Sequence, residues 1–198
     1  MLDEVVAHYT EILDFLGEDM AYTVTLPNAG ILTVEEAVRR MGFDPVEIEA
    51  PEAVPHSGNS IRLHQVGTSV VTLDGVYPMP ERKQITDQLG GDGFRHWYVA
   101  FDINGNASMY ANYGGAQGML EYPEPIDLPF TRWTELLGPL HSYADFLTRV
   151  YDSEEEEATV DFVAACLAVT ELESGVRLDP ELLHTPYSAL PIPPPNFD

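Results

Sequence analysis

Positive charge is scarce in this sequence: one lysine, Lys83, and eight arginines stand against 33 aspartate and glutamate residues. The formal net charge of -24 exceeds the magnitude of about 2 to 8 that is usual for a small domain. A surface of this kind repels nucleic acid and anionic membranes, so direct binding to either is not expected. It favours a basic protein partner or a cation. A compositional bias of the source genome, or adaptation to salt, explains the same acidity without any partner.

Cysteine and long apolar runs are also lacking. Cys166 is the only cysteine and forms no internal disulfide. It lies between Val163 and Leu167 on a helical apolar stripe, which predicts a buried, unreactive thiol. No stretch approaches the roughly 18 apolar residues of a membrane span, and the N-terminal segment carries acids where a signal peptide has basic residues. The sequence therefore predicts a cytoplasmic protein.

Motifs for catalysis and ligand binding are missing as well. The six histidines show no metal-ligand spacing, and no G-x-S-x-G nucleophile motif occurs. The glycine clusters at 90–93 and 114–118 have no Walker lysine and are interpreted as turns. Asp102–Ser108 begins like a calcium loop, but Ala107 and Asn112 replace the glycine and glutamate that such a loop needs. We predict no cofactor and no metal, and a hairpin turn at Asn104–Gly105.

The pattern of apolar residues predicts an α+β fold with a small antiparallel sheet and a central hairpin, covered by N-terminal and C-terminal helices. One domain is expected over residues 1–185, followed by a proline-rich tail over 186–198 that lacks a core pattern. Residues 43–65 are expected to be mostly irregular. The predicted strands are 21–26, 69–73 and the hairpin 96–113, and the covering helices are 3–16 and 155–173.

Three segments carry a resemblance to known proteins: TVEEAVRRMG, WYVAFDINGNASMYANY and FVAACLAVTELESGVRLDPELL. In this order they resemble a family of uncharacterised bacterial proteins that contain a domain of unknown function. The resemblance covers most of the chain and implies an α+β fold. It implies no activity, ligand or catalytic residue, and this sequence departs from the family in its acidity.

The leading hypothesis is a non-enzymatic acidic binding protein that masks or neutralises a basic protein partner, as an immunity protein or a nucleic-acid mimic does. Two alternatives stay open: an accessory component of a larger assembly, and an enzyme whose carboxylate-based site is not visible as a motif. The sequence leaves the oligomeric state open. Period two in the first hairpin strand predicts Trp97, Val99, Phe101 and Ile103 as core and leaves Tyr98 on the other face, as a candidate exposed contact. The candidate partner-binding residues are Glu47, Glu49, Glu52, Tyr98, Asp152, Glu154, Glu155, Glu156 and Glu157.

Overall fold

A computed structural model describes residues 2–16, 19–49, 60–75, 80–122, 134–151 and 158–192. The α-helices are Leu2–Leu16 (α1), Val34–Arg40 (α2), Pro80–Asp87 (α3), Ala144–Tyr151 (α4), Ala158–Ser174 (α5) and Pro180–His184 (α6). The strands are Met20–Pro27 (β1), Ser60–Val66 (β2), Ser69–Asp74 (β3), Phe94–Phe101 (β4), Ala107–Tyr113 (β5), Ala116–Tyr122 (β6) and Ser188–Pro191 (β7). Short 3-10 helices occupy Pro45–Glu47 and Gly138–Tyr143. The predicted α+β class is confirmed, and none of the described helices has the length and apolarity needed to cross a membrane.

All seven strands form one antiparallel sheet in the order β6-β5-β4-β1-β3-β2-β7. Side chains alternate between two faces of the sheet. The first face carries Tyr22, Val24 and Trp97 among its members, and the second carries Thr25 and Tyr98. The two faces differ in what covers them, and that difference positions the candidate site.

The first face is a continuous apolar core under α1 and α5. Residues 162–169 of α5 are buried without interruption, as in a helix that is surrounded by protein. Tyr9 of α1 is fully buried, donates to Glu171 Oε2 at 2.9 Å and accepts from the Leu178 N–H at 3.1 Å. Cys166 is buried in this core as predicted, and burial raises the pKa of its thiol well above the usual range.

The central hairpin joins β4 and β5, but its turn is longer than predicted. Residues 102–106 connect the strands, and within them only Gly105 has a positive φ, at +80°. Asp102 holds this loop, because its Oδ1 accepts from the N–H groups of Asn104 and Asn106 at 2.8 and 2.9 Å. Ile103 lies in the loop and is 63% exposed, so its prediction as core is wrong.

Two further predictions need correction at the far edge of the sheet. Residues 60–65 belong to β2 rather than to an irregular segment, with Ile61 and Leu63 buried. The tail contains β7, which pairs with β2 and buries Leu190 and Ile192. Both strands are short and proline or charge interrupts their apolar pattern, so pairing with a neighbour rather than local sequence decides their structure.

Candidate functional site

The second face of the sheet is covered unevenly. Over β3, β2 and β7 it is closed by an apolar cluster in which α2 and its flanking residues pack against the sheet. Leu32, Val38 and Met41 lie on one side of this cluster, and Leu63 and Val70 on the other. The side chains of this half pack together as part of the buried core.

Over β4, β5 and β6 the same face is polar and concave. It forms the floor of a cavity of about 440 Å³, with His96, Tyr110 and Asn112 among its lining residues. We call this the second-face cavity, and its described lining residues are Lys83, Asp87, His96, Tyr110, Ala111, Asn112, Gln117, Gly118, Met119, Glu135 and Leu136. Its volume falls in the range of about 300 to 1,000 Å³ that is common for small-ligand sites.

Two walls from distant parts of the chain face each other across this floor. Lys83 and Asp87 of α3 form the wall nearer β1, and Glu135 and Leu136 form the wall at β6. The second wall is held by close backbone contact between Gly118 and the residues around Gly138. A Cβ at Gly118 would lie 2.0 Å from the Leu137 carbonyl oxygen, so only glycine permits this approach.

His96 is the most distinctive residue of the floor. It is 2% exposed, its Nδ1 lies 2.8 Å from Thr25 Oγ1, and its Nε2 has no hydrogen-bond partner among the described residues. Burial, helped by the positive charges of Lys83 and Arg40, lowers the pKa of His96 to about 3. The ring is therefore neutral at physiological pH, and Nε2 can accept or donate one hydrogen bond according to the tautomer.

Lys83 is already engaged within the wall of the cavity. Its Nζ lies 2.5 Å from Asp87 Oδ2 and 3.9 Å from the ring centroid of Tyr110, in a cation-π contact. The Tyr110 hydroxyl donates a short hydrogen bond to Glu121 Oε1, and burial together with this carboxylate raises the pKa of Tyr110 well above its usual range. The lysine charge thus stabilises α3 against the sheet.

The structure describes three of the nine predicted partner-binding residues, and none of these three is among the described lining residues of the second-face cavity. Glu47 and Glu49 are exposed near the β7 edge, where Glu49 pairs with Ala189. Tyr98 is 2% exposed and packs edge-to-face with Tyr110, so it is not the exposed contact that was predicted. Its face of the strand lies under α3 instead of solvent. The remaining candidates, Glu52, Asp152, Glu154, Glu155, Glu156 and Glu157, lie outside the described residues.

Glu49 and Phe162 lie near opposite edges of the sheet. The start of α5 lies at the β6 edge, since Phe162 contacts Tyr122 with ring centroids 5.3 Å apart. Glu49 lies at the β7 edge. Six strand spacings, roughly 29 Å, separate these edges. Exposed carboxylates among the described residues also occur on α1, α2 and α4, so the described part of the acidic surface is spread over the molecule.

Sequence reasoning missed the second-face cavity, although one signal was present. His96, Tyr98 and Ala100 occupy every second position along β4 and therefore share one face of the sheet. Tyr110 and Asn112 do the same along β5. Polar residues at every second position of paired strands indicate a sheet face that is not fully closed by apolar side chains. The walls gave no such signal, because Lys83 and Glu135 lie more than fifty residues apart in sequence.

The polar and charged side chains of the second-face cavity can form hydrogen bonds with a ligand and can recognise its charge. Within the described residues, no group of three or more histidine, cysteine or acidic side chains is placed to hold a metal ion.

Comparisons with protein-family models, with curated proteins and with solved structures find no match for this chain. The resemblance to the uncharacterised bacterial family therefore stays a prediction.

Proposed function

We propose that the protein is a non-enzymatic acidic binding protein that masks or neutralises a basic protein partner. The observation that carries this proposal is the way in which the molecule uses its few cations. Three described basic residues are paired with carboxylates: Arg39 with Glu36, Lys83 with Asp87 and Arg177 with Glu171. Three more, Arg40, Arg62 and Arg95, lie over aromatic rings.

Six of the nine basic side chains thus have partners inside the molecule, while carboxylates such as those of Asp3, Glu35 and Asp145 are exposed on the described helices. An exposed excess of one sign steers a partner of opposite sign and raises the association rate. The described acids are spread over several surfaces, a distribution that a compositional bias of the source genome also produces. Specificity then needs a more local feature.

The experiment is a capture of partners from the source lysate at low salt, followed by reconstitution with the purified partner. We expect a basic protein whose association rate falls markedly as ionic strength rises, since the Debye length shrinks from about 30 Å at 0.01 M to about 8 Å at 0.15 M. The dissociation rate should change less. A partner without excess positive charge, bound equally well at all salt concentrations, would support the assembly-component alternative instead.

Matched neutralisation variants then locate the contact. Glu47→Gln with Glu49→Gln removes two charges among the predicted partner-binding residues and keeps the Glu47 side-chain oxygen that accepts from the Asp44 N–H. Glu4→Gln with Glu11→Gln removes two exposed charges on α1. A larger loss of association rate in the first pair supports a contact near the β7 edge. Equal losses of association rate in the two pairs indicate that only the overall negative charge of the protein, rather than a local contact, affects association.

A further inference from the structure

The helix α3 covers a polar part of the second sheet face. Beneath it lie the side chains of Thr72 on β3, Thr23 on β1 and Tyr98 on β4, which form one cross-strand row and are all buried. Lys83 and Thr86 of α3 line the same small space as these three residues. A helix usually buries an apolar stripe against a sheet, so a helix that covers a row of hydroxyl groups is unusual.

Hydroxyl groups on both sides of this contact are bonded within their own elements. Thr23 Oγ1 lies 2.7 Å from Thr72 Oγ1 within the sheet, and Thr86 Oγ1 donates to the Lys83 carbonyl at 3.1 Å within α3. These bonds stay intact when α3 moves away from the sheet. Exposure of the hydroxyl groups to water then costs little free energy, whereas exposure of apolar side chains costs free energy in proportion to their area.

The sequence of α3 brings little apolar surface to the contact. PERKQITD contains one aliphatic side chain besides proline, that of Ile85, which is half-buried against the apolar cluster of α2. Lys83 supplies a second attachment, because its Nζ lies 3.9 and 5.4 Å from the ring centroids of Tyr110 and Tyr98. Its side chain is 24% exposed, so water competes for the ammonium group and weakens this attachment.

The chain that follows α3 is attached more firmly. Leu89 is fully buried in the apolar cluster of α2, and Arg40 Nη2 donates to the carbonyl groups of Leu89 and Gly90 at 3.3 and 2.7 Å. Gly91 then has a φ of +108°, a conformation that favours glycine. A movement of α3 therefore pivots about residues 88–91 and leaves β4 in the sheet.

We propose that α3 is a lid that opens as a unit about residues 88–91 and exposes the row of Thr72, Thr23 and Tyr98. Because Lys83 and Asp87 also form a wall of the second-face cavity, opening joins this cavity to the row. Segments that move to admit a ligand come from the least stable parts of a structure, and a helix held mainly by polar contacts is such a part. The inference goes beyond the proposed function, since it concerns access to the sheet face and needs no basic partner.

Thiol labelling at two adjacent positions of β3 tests the lid. Thr72→Cys places a thiol under α3, whereas Val71→Cys places one in the core of the first face. Cys166, in that same core, reports global unfolding in each variant. We expect the thiol at position 72 to react with a disulfide reagent at least about tenfold faster than Cys166 of the same protein, because local opening exposes it. The thiol at position 71 should react at the rate of Cys166.

Urea separates local opening from global unfolding. Opening of the lid exposes little surface, so the labelling rate of Thr72→Cys should change little with urea below the unfolding transition. The rates of Val71→Cys and Cys166 should rise steeply over the same range. Equal rates and equal urea dependence at the two introduced thiols overturn the proposal, because α3 then leaves the sheet only when the whole protein unfolds.

Two further substitutions in the Thr72→Cys protein identify what holds the lid closed. Lys83→Met should raise the labelling rate of the introduced thiol about threefold, because the cation-π contact and the ion pair are lost. Val5→Ala removes apolar contacts of α1 in the first-face core and should raise only the rate of Cys166. If Val5→Ala accelerated both thiols equally, labelling under α3 would report global unfolding and the lid would be refuted.

Hydrogen exchange of the unmodified protein gives a test that needs no substitution. α2 and α3 are similar in length, but α2 buries Ala37 and Val38 against the sheet. The amides of residues 84–87 in α3 should exchange at least about tenfold faster than those of residues 38–40 in α2. Equal protection of the two helices contradicts the lid, even if Thr72→Cys does not fold.

Discussion

Two halves of the same sheet face have opposite character. Over β3, β2 and β7, side chains such as Leu63 and Val70 meet α2 and close the surface with an apolar core. Over β4, β5 and β6, His96, Tyr110 and Asn112 take the corresponding positions, and the surface stays concave. The backbone pairing is antiparallel throughout, so the choice of side chain at alternate positions decides which half is core and which is a candidate site.

The covering helices differ in the same way. α2 begins at Thr33, whose side chain accepts from the Glu36 N–H at 3.2 Å, and it buries Ala37 and Val38 against the sheet. α3 is held in part by a charge, since Lys83 lies between Asp87 and the Tyr110 ring. An apolar anchor contributes more stability than a half-exposed ion pair, because solvent screens the pair. We therefore expect the apolar half of the face to contribute more to stability, and the polar half to contribute more to ligand recognition.

The largest expected effect is loss of stability in the apolar half. Leu63→Ala should lower the free energy of unfolding by about 3 kcal/mol, because it deletes a side chain that is 1% exposed and leaves a cavity. Met119→Ala, in the lining of the second-face cavity, should cost about 1 kcal/mol or less, since that side chain is half-buried beside open space. Urea denaturation measures both. Similar losses at the two positions would contradict the division of the face.

Local sequence patterns were sufficient for the parts of the fold in the middle of the sheet. The strand at 21–26, the strand at 69–73 and the hairpin at 96–113 match β1, β3, β4 and β5, because each has a clear alternation or turn signal. β2 and β7 gave weak signals. Both lie at one edge of the sheet and are specified by pairing with each other, which no local pattern encodes.

The candidate site was less predictable than the fold for a related reason. Glu47, Glu49 and the 154–157 segment were predicted as partner-binding residues because they lie in acid-rich stretches, which are visible in a sequence. The described lining of the second-face cavity instead combines five segments that only the topology brings together: α3, β4, β5, β6 and residues 135–136. Tyr98 illustrates the limit: its face was predicted correctly, but the helix that buries that face lies eleven or more positions away in the chain.

The polar half of the face should also make stability depend on pH, because it contains His96. The expected effect on the free energy of unfolding is about 2.5 kcal/mol. The folded pKa of His96 is about 3, whereas the unfolded value is near 6.5. Below pH 6.5 the unfolded chain therefore binds a proton that the folded protein excludes, and stability falls as the pH falls. Between pH 6.5 and 4.5 this loss amounts to about 2.5 kcal/mol. His96→Gln should remove it from the measured pH profile.

His64 provides the control for that profile. It lies in β2, 3% exposed beside the Tyr187 ring, and burial together with the Arg62 charge lowers its pKa to about 4. His64→Gln should therefore flatten the same pH window by a similar amount. If His96→Gln left the acid dependence unaltered, the neutral buried state of His96 would be refuted.

A smaller effect, about 2 kcal/mol, is expected where β6 meets the wall of the cavity. Gly118→Ala places a Cβ 2.0 Å from the Leu137 carbonyl oxygen, so the backbone around residues 135–138 has to shift. Thermal unfolding should show the loss of stability. Gly75→Ala, where a Cβ meets no atom within 4 Å, is the matched control. An unchanged unfolding temperature in Gly118→Ala would contradict the close backbone contact between β6 and this wall.

The smallest expected effect on stability concerns the charge that holds α3. Lys83→Met keeps an apolar side chain over Tyr110 but removes the ion pair and the cation-π contact, which should cost about 0.5 to 1 kcal/mol. It also leaves the Asp87 carboxylate without its 2.5 Å partner. Arg39→Met removes the same charge from α2, over the apolar half, where Arg39 pairs with Glu36 at 3.2 Å. In that control, urea denaturation should show a smaller loss, because the Arg39–Glu36 pair is more exposed and solvent screens it more strongly. Equal losses in the two variants would contradict the role of Lys83 in holding α3 against the sheet.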